Sequence, residues 1–308
     1  MDKIVIVGPG RVGESTAQNL AKDQLCRELV LIGLDAGQAR GVALDIQESA
    51  PLFEFDTEIR GGADPALMRG ADLVIITAGL PRKPGMSRLD LLAANRQILA
   101  GIAEHVARYA YDAFVLVVSN PVDLLTFCTW QKLGWARRRV FGLSGVLDSA
   151  RMASFVARES GFSVRDISAM VIGGHGDAMV PLLRYTTIAG VPLSHFLNDE
   201  ARARVVEKTR QGGAEIVALK KTSSAYDAPA AAVAAMVDAI VHDRKRLMPC
   251  VAVLEGEYGM RGLALGVPTR LGRDGVEKVV ELPLTEEEQA ALAASAQPLR
   301  DALAGLPD

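Results

Sequence analysis

The chain opens with alternating apolar runs and amphipathic stretches. Ile4-Val5-Ile6-Val7, Leu29–Leu34, Leu73–Ile76 and Phe114–Val118 are apolar at nearly every position. Such runs suit parallel strands covered on both faces. Between them lie segments of helical character: Gly13–Lys22, Gln38–Glu48, Leu89–Tyr109 and Val122–Leu133. This strand–helix rhythm predicts an α/β fold with a doubly wound parallel sheet of Rossmann type. After about Gly142 the rhythm changes. Leu147–Ser160 reads as a helix and Val164–Ile172 as a strand. Asn198–Lys221 reads as a long helix interrupted at Gly212-Gly213, and Pro229–His242 as another helix. Cys250–Leu254, Leu263–Thr269 and Val276–Leu282 look like antiparallel strands, and Thr285–Glu288 is a capping box opening a last helix. The pattern divides the chain softly near 143, into an alternating strand–helix part, 1–143, and an α+β part, 144–308. No linker-like segment marks the join, so the two parts are expected to pack tightly.

Composition narrows the function classes. Of 308 residues 49% are hydrophobic and 23% charged, with a formal net charge of −3. No basic excess points to nucleic acid or an anionic membrane. An anionic substrate would gain nothing from the overall field, so local arginines would have to hold it. Cys26, Cys128 and Cys250 form no metal or disulfide pattern, which favours a reducing cytoplasm. His105, His175, His195 and His242 lack zinc-ligand spacing, so no metal is expected. Met1-Asp2-Lys3 leads straight into the first strand, unlike a signal peptide, and the apolar stretch Ala228–Val241 is too short to span a bilayer.

The candidate chemistry begins at Gly8-Pro9-Gly10-Arg11-Val12-Gly13, a G-x-G-x-x-G run between a strand and a helix. Gly8 permits a tight turn, Gly10 lets the backbone approach a pyrophosphate, and Gly13 lets helix and strand pack closely. Asp35 stands 22 residues beyond Gly13. A carboxylate there accepts from an adenosine ribose and repels a 2′-phosphate, which favours NAD over NADP. Taken alone, Asp35 also reads as a solvated strand end. Thr77-Ala78-Gly79 and Val118-Ser119-Asn120 end two further strands, where open parallel sheets bind ligands.

A second set points to a small dicarboxylate. Leu80–Arg88 is a loop by its prolines and glycine, and carries Arg82 and Arg88. By itself it also fits a solvated basic loop; as a lid it would carry a guanidinium to a reacting carbonyl. Asp148 and Arg151 share one helix face. Locally they read as a helix-cap acid with an ion pair. The functional alternative has Asp148 orient His175, in Gly173-Gly174-His175-Gly176-Asp177, while Arg151 clamps a carboxylate.

These segments resemble the lactate/malate dehydrogenase family, and within it the bacterial, lactate-dehydrogenase-like malate branch. The similarity runs in order through Gly8–Gly13, Thr77–Arg88 (TAGLPRKPGMSR), Ser119-Asn120-Pro121, Gly145–Arg151 (GVLDSAR), Gly173–Pro181 (GGHGDAMVP), Ser224–Pro229 (SAYDAP) and Gly275–Lys278. The resemblance implies reversible hydride transfer between NADH and oxaloacetate, giving (S)-malate, as in the tricarboxylic acid cycle. It implies His175 as proton donor and acceptor, Asp148 as its orienting acid, Arg151 on the C1 carboxylate, Arg88 on the carbonyl, Asn120 on the reacting oxygen and Asn95 on NAD. Arg82 is the position at which malate members carry arginine and lactate members glutamine. The resemblance also implies a homotetramer, with a homodimer as the alternative. Asp227 departs from the family pattern; it is expected to turn away from the substrate pocket.

Overall fold

The structure, a computed structural model, describes residues 1–80 and 88–305. The first half supplies six strands, β1 (Lys3–Val7), β2 (Glu28–Ile32), β3 (Glu58–Gly62), β4 (Leu73–Ile76), β5 (Phe114–Val117) and β6 (Val140–Gly142). Its helices are α1 (Arg11–Lys22), α2 (Ala36–Glu48), α3 (Ala50–Phe53), α4 (Arg88–Tyr109) and α5 (Val122–Leu133). The strands pair in parallel in the order β3-β2-β1-β4-β5-β6, the doubly wound arrangement of dinucleotide-binding sheets.

Burial explains the apolar runs. Ile4, Ile6, Leu29, Leu31, Leu73 and Ile75 point into one core. Val5, Val7, Val30, Ile32, Val74 and Ile76 point into the other. Successive residues face opposite layers, and both layers are covered by helices.

The second half adds α6 (Gly145–Ser160), the short strands β7 (Ile167–Ser168), β8 (Val171–Gly173), β9 (Met179–Pro181), β10 (Thr187–Ile188) and β11 (Val191–Pro192), then α7 (Asp199–Lys220) and α8 (Asp227–Val241). The long strands β12 (Arg246–Glu255) and β13 (Arg261–Gly272), with β14 (Gly275–Val279), precede α9 (Glu286–Ala304). β12 pairs antiparallel with β6 through Val251 and Gly142, so one sheet runs through both halves.

Several expectations change. The run Leu29–Leu34 ends as a strand at Ile32, and Leu34 is fully exposed. Asp35 there becomes the N-cap of α2, its carboxylate accepting from the N–H groups of Gly37 (2.7 Å) and Gln38 (3.1 Å). Val164–Ile172 is not one strand: it starts as a 3₁₀ turn, with the Ser163 hydroxyl accepting from the Arg165 N–H, and then breaks into β7 and β8. Gly212-Gly213 does not interrupt α7, which passes through both glycines. β3 and β6 had no signal in the pattern, one being half exposed and the other three residues long. The capping box at Thr285 and Glu288 is present with both of its hydrogen bonds.

Candidate active site

The glycine turn is built by close approach. Gly8 has a φ of +107°, and a Cβ on it would lie 2.5 Å from the Ala78 nitrogen. A Cβ on Gly13 would lie 2.1 Å from the Gly8 carbonyl oxygen. Both positions therefore exclude a side chain. The Thr77 hydroxyl donates to the Gly8 carbonyl at 2.7 Å and ties the turn to the end of β4. A Cβ on Gly10 would meet nothing, so the turn is open toward the groove at the start of α1. That groove, about 740 Å³, is bordered by Gly8, Gly10, Arg11, Val12, Gly13, Thr77, Gly79, Val118, Ser119 and Asn120. Peptide N–H groups at a helix N-terminus favour a diphosphate, and Asp35 lies beyond the end of the neighbouring strand. A dinucleotide fits this donor set. Pro9 packs over Gly33, where a Cβ would lie 2.8 Å from the proline ring. Tyr226 stands between two cations, 5.7 Å from the Arg11 guanidinium and 3.5 Å from the Lys220 ammonium. Tyr226 lies in the Ser224–Pro229 segment, but the sequence assigned no role to it or to Lys220.

Asn95 is buried, and its side chain is committed to main chain. It accepts from the Leu80 N–H at 2.7 Å and donates to the carbonyls of Asn120 (2.8 Å) and Leu80 (3.3 Å). It thus pins together the two loops that follow β4 and β5. Ser119 adds a second tie, its hydroxyl donating to the Ala78 carbonyl at 2.6 Å.

A cavity of about 220 Å³ opens beside the groove. Val118 and Asn120 line both, and Arg151 and His175 line the cavity. Two carboxylate contacts join these residues. Asp148 Oδ2 lies 2.9 Å from His175 Nδ1, and Asp148 Oδ1 accepts from Arg151 Nη1 at 3.1 Å. The Asp148 side chain is 1% exposed and the His175 ring 21%. Burial alone would push the imidazole pKa down. The Asp148 carboxylate, by charge and hydrogen bond, outweighs it, and the net shift is upward. With Nδ1 engaged by Asp148, Nε2 is the nitrogen left for a ligand.

Three neighbours fix this pair. Asp148 sits in the first turn of α6, where the helix dipole favours an anion. The Ser149 hydroxyl accepts from the Val171 N–H at 2.9 Å and locks α6 to β8, the strand leading into the histidine turn. Within that turn, Gly174 N–H donates to Ser295 Oγ at 2.7 Å and His175 N–H donates to Asp123 Oδ2 at 2.9 Å. Asp123 and Ser295 are separated from the turn by 52 and 121 residues, so no local spacing revealed them. Gly212 serves Arg151: a Cβ there would lie 2.6 Å from Arg151 Cδ. The glycine pair is the notch that admits the guanidinium.

Arg82 lies outside the described residues, and so does the side chain of Arg88. Asp227 is 78% exposed and near Lys220 at 3.8 Å, turned to solvent as expected. Among the described residues no group of histidine, cysteine and carboxylate side chains has the geometry to hold a metal.

The comparisons with known proteins agree with this geometry. Residues 2–142 match the lactate/malate dehydrogenase NAD-binding domain, and residues 145–306 match the α/β C-terminal domain of the same family. The chain is 64% identical over 301 residues to a malate dehydrogenase of Thioalkalivibrio sulfidiphilus, covering 98% of each. It is similar in structure to the malate dehydrogenase of Salinibacter ruber, with a TM-score of 0.94 and 41% identity, covering 98% of this chain and 96% of that one. It is also similar to the lactate dehydrogenase of Cryptosporidium parvum complexed with lactic acid and nicotinamide adenine dinucleotide, with a TM-score of 0.95 and 38% identity, covering 99% of each. Backbone shape therefore does not separate the two substrates. What the fold, the glycine turn and the histidine–aspartate pair establish together is that this chain belongs to the lactate/malate dehydrogenase family.

Proposed function

We propose that the protein is an NAD-dependent malate dehydrogenase interconverting oxaloacetate and (S)-malate. The carrying observation is the His175–Asp148–Arg151 constellation, built on a buried aspartate and set in a cavity that shares Val118 and Asn120 with the nucleotide groove. It offers a proton on one side and a carboxylate clamp on the other. Malate is favoured over lactate by Arg82 in the sequence and by the 64% identity to a malate dehydrogenase. A second substrate carboxylate without a partner would be a desolvated anion, and an arginine facing a methyl group would be equally unpaired.

When bound in the groove, NADH would supply the hydride that C2 of oxaloacetate accepts, and NAD+ would take it back from malate. Arg151 holds the C1 carboxylate and Arg82 the distal one. Arg88 polarises the C2 carbonyl, and Asn120 donates to the same oxygen. Protonated His175 gives its Nε2 proton to that oxygen, and Asp148 stabilises the imidazolium before transfer. In malate oxidation neutral His175 takes the hydroxyl proton. Gly8 to Gly13 and Asp35 hold the diphosphate and ribose, with Val118 and Ser119 along the groove. Asn95 acts by fixing the two loops on which the nicotinamide end rests.

The division near residue 143 separates the nucleotide part from the substrate part, with the cleft between them. A homotetramer in the cytoplasm is the assembly and setting this reading favours, with a homodimer as the alternative. Among the described residues no helix is long and apolar enough to cross a membrane.

The test compares kcat/KM for oxaloacetate and pyruvate by loss of NADH absorbance. The reading expects oxaloacetate to be preferred by about a hundredfold or more. A preference for pyruvate, or tight NADH binding with no turnover, would overturn it. His175→Ala should remove nearly all turnover while NADH still binds.

A further inference from the structure

The glycine turn forms one wall of the nucleotide groove. The junction of α7 and α8 forms another, where Val217, Lys221, Thr222, Ser224 and Tyr226 border the same space. The glycine turn offers main-chain N–H groups, and Pro9 within it has none to give. A dinucleotide's diphosphate is doubly negative. Among the described residues that border the groove, Arg11 and Lys221 are the charged ones, and both are cations. Lys221 holds a costly backbone conformation. It ends α7 with a φ of +59° and a ψ of −43°, its N–H donating to the Val217 carbonyl at 2.9 Å. The Thr222 N–H then closes a tight turn onto the Lys220 carbonyl at 2.6 Å. Glycine adopts such a turn freely, and a residue with a side chain is strained in it. Strain of this kind collects where the side chain has a task. The neighbouring Lys220 is committed, with its ammonium 3.5 Å from the Tyr226 ring centre and 3.8 Å from Asp227. Lys221 is exposed at the groove, and among the described residues no carboxylate pairs with it.

We propose that Lys221 is a coenzyme-binding residue whose ammonium meets the diphosphate from the α7–α8 side of the groove, while the glycine turn supplies N–H groups from the other. An ammonium on a flexible stem serves here as a point charge and needs no fixed fork geometry. Tyr226 positions it. The Arg11 guanidinium, from the first residue of α1, stands 5.7 Å from the ring centre, and the Lys220 ammonium reaches the same ring. The ring thereby links the start of α1 to the end of α7 and keeps Lys221 across from the glycine turn.

This inference rests on the groove as the coenzyme site and not on the choice of substrate, so its test is binding. Lys221→Met keeps the stem and removes the charge. The NADH dissociation constant, from fluorescence titration, should rise about fivefold or more. ADP-ribose carries the same diphosphate and should weaken by the same factor. Adenosine, which has no phosphate, should displace NADH as it does from the wild type. Lys221→Arg should restore most of the affinity. Lys221→Gly should melt higher than the wild type, because the strain is relieved, and should bind NADH as poorly as Lys221→Met. Tyr226→Ala should weaken NADH and Tyr226→Phe should not, because the ring and not the hydroxyl meets the cations. An unchanged NADH constant in Lys221→Met overturns the proposal. Equal weakening of adenosine, or a lower melting temperature of unliganded Lys221→Met, also overturns it, since Lys221 would then support the fold. A wild type that binds neither NADH nor ADP-ribose overturns the reading of the groove and the proposal with it.

Discussion

Gly212 and Arg151 show how one missing side chain sets a binding group. The Arg151 stem occupies the space a Cβ would take, and its end is tethered to Asp148. Gly212→Ala should therefore move the guanidinium. KM for oxaloacetate should rise about tenfold, by the loss of roughly one charge-assisted hydrogen bond. Thermal stability should hold or rise, since alanine is the better helix former by roughly 1 kcal/mol. Steady-state kinetics beside a melting curve checks both signs. Asp148→Asn attacks the relay directly. The imidazole loses the partner that raises its pKa, and the acid limb for malate oxidation should move down in pH. Turnover should fall by about a hundredfold or more, as when an orienting acid is removed. An unchanged pH profile would deny the role of Asp148.

Whole elements carry the support of the site. α9 was legible from its capping box, yet nothing in its sequence showed that Ser295 reaches the catalytic turn. The two ends of α9 should behave differently. Thr285→Ala removes an exposed cap and should cost about 1 kcal/mol of stability with little effect on turnover. Ser295→Ala leaves the Gly174 N–H unsatisfied beside His175 and should lower kcat as well as the melting temperature. A Ser295→Ala enzyme with wild-type kcat would mean that α9 does not steady the turn. α5 and α6 have parallel tasks, presenting Asp123 and Asp148 from their first turns. Their dipoles favour anions at those places.

At the scale of the molecule, the buried Asp123 should leave a mark on stability. Its folded-state pKa is raised from 3.8 to about 6. A raised carboxyl pKa means that the unfolded chain releases its proton first as pH rises. The contribution is full below about pH 4 and is lost as pH climbs through 6. The loss is on the order of 3 kcal/mol at neutral pH. Asp123→Asn does not titrate, so its melting temperature relative to wild type should rise between pH 4.5 and pH 7.5. Two melting series would show it, and a constant difference would contradict a buried ionised Asp123.

The apolar runs by themselves determined the parallel sheet, because residues covered on both faces leave no polar alternation. The glycine turn and the order of the motifs determined the family and the cofactor, because those functions use contiguous main chain. His175, Asp148 and Arg151 were legible as residue types, and only folding decided that one aspartate serves both. Gly212-Gly213 read as a break, because a helix-weakening pair looks the same whether it ends a helix or makes room for a neighbour. Asp35 read as a ligand or a solvated end, and the structure made it also the cap of α2. Asn95 read as a cofactor contact; it borders the nucleotide groove, and its amide also ties two loops together. Asp123 and Ser295 had no signature, because their partner lies far away in the chain and a hydrogen bond to main chain leaves no pattern in the partner's sequence. Periodicity and local motifs determine what a segment can be; which side chains share one turn is decided only when distant elements pack.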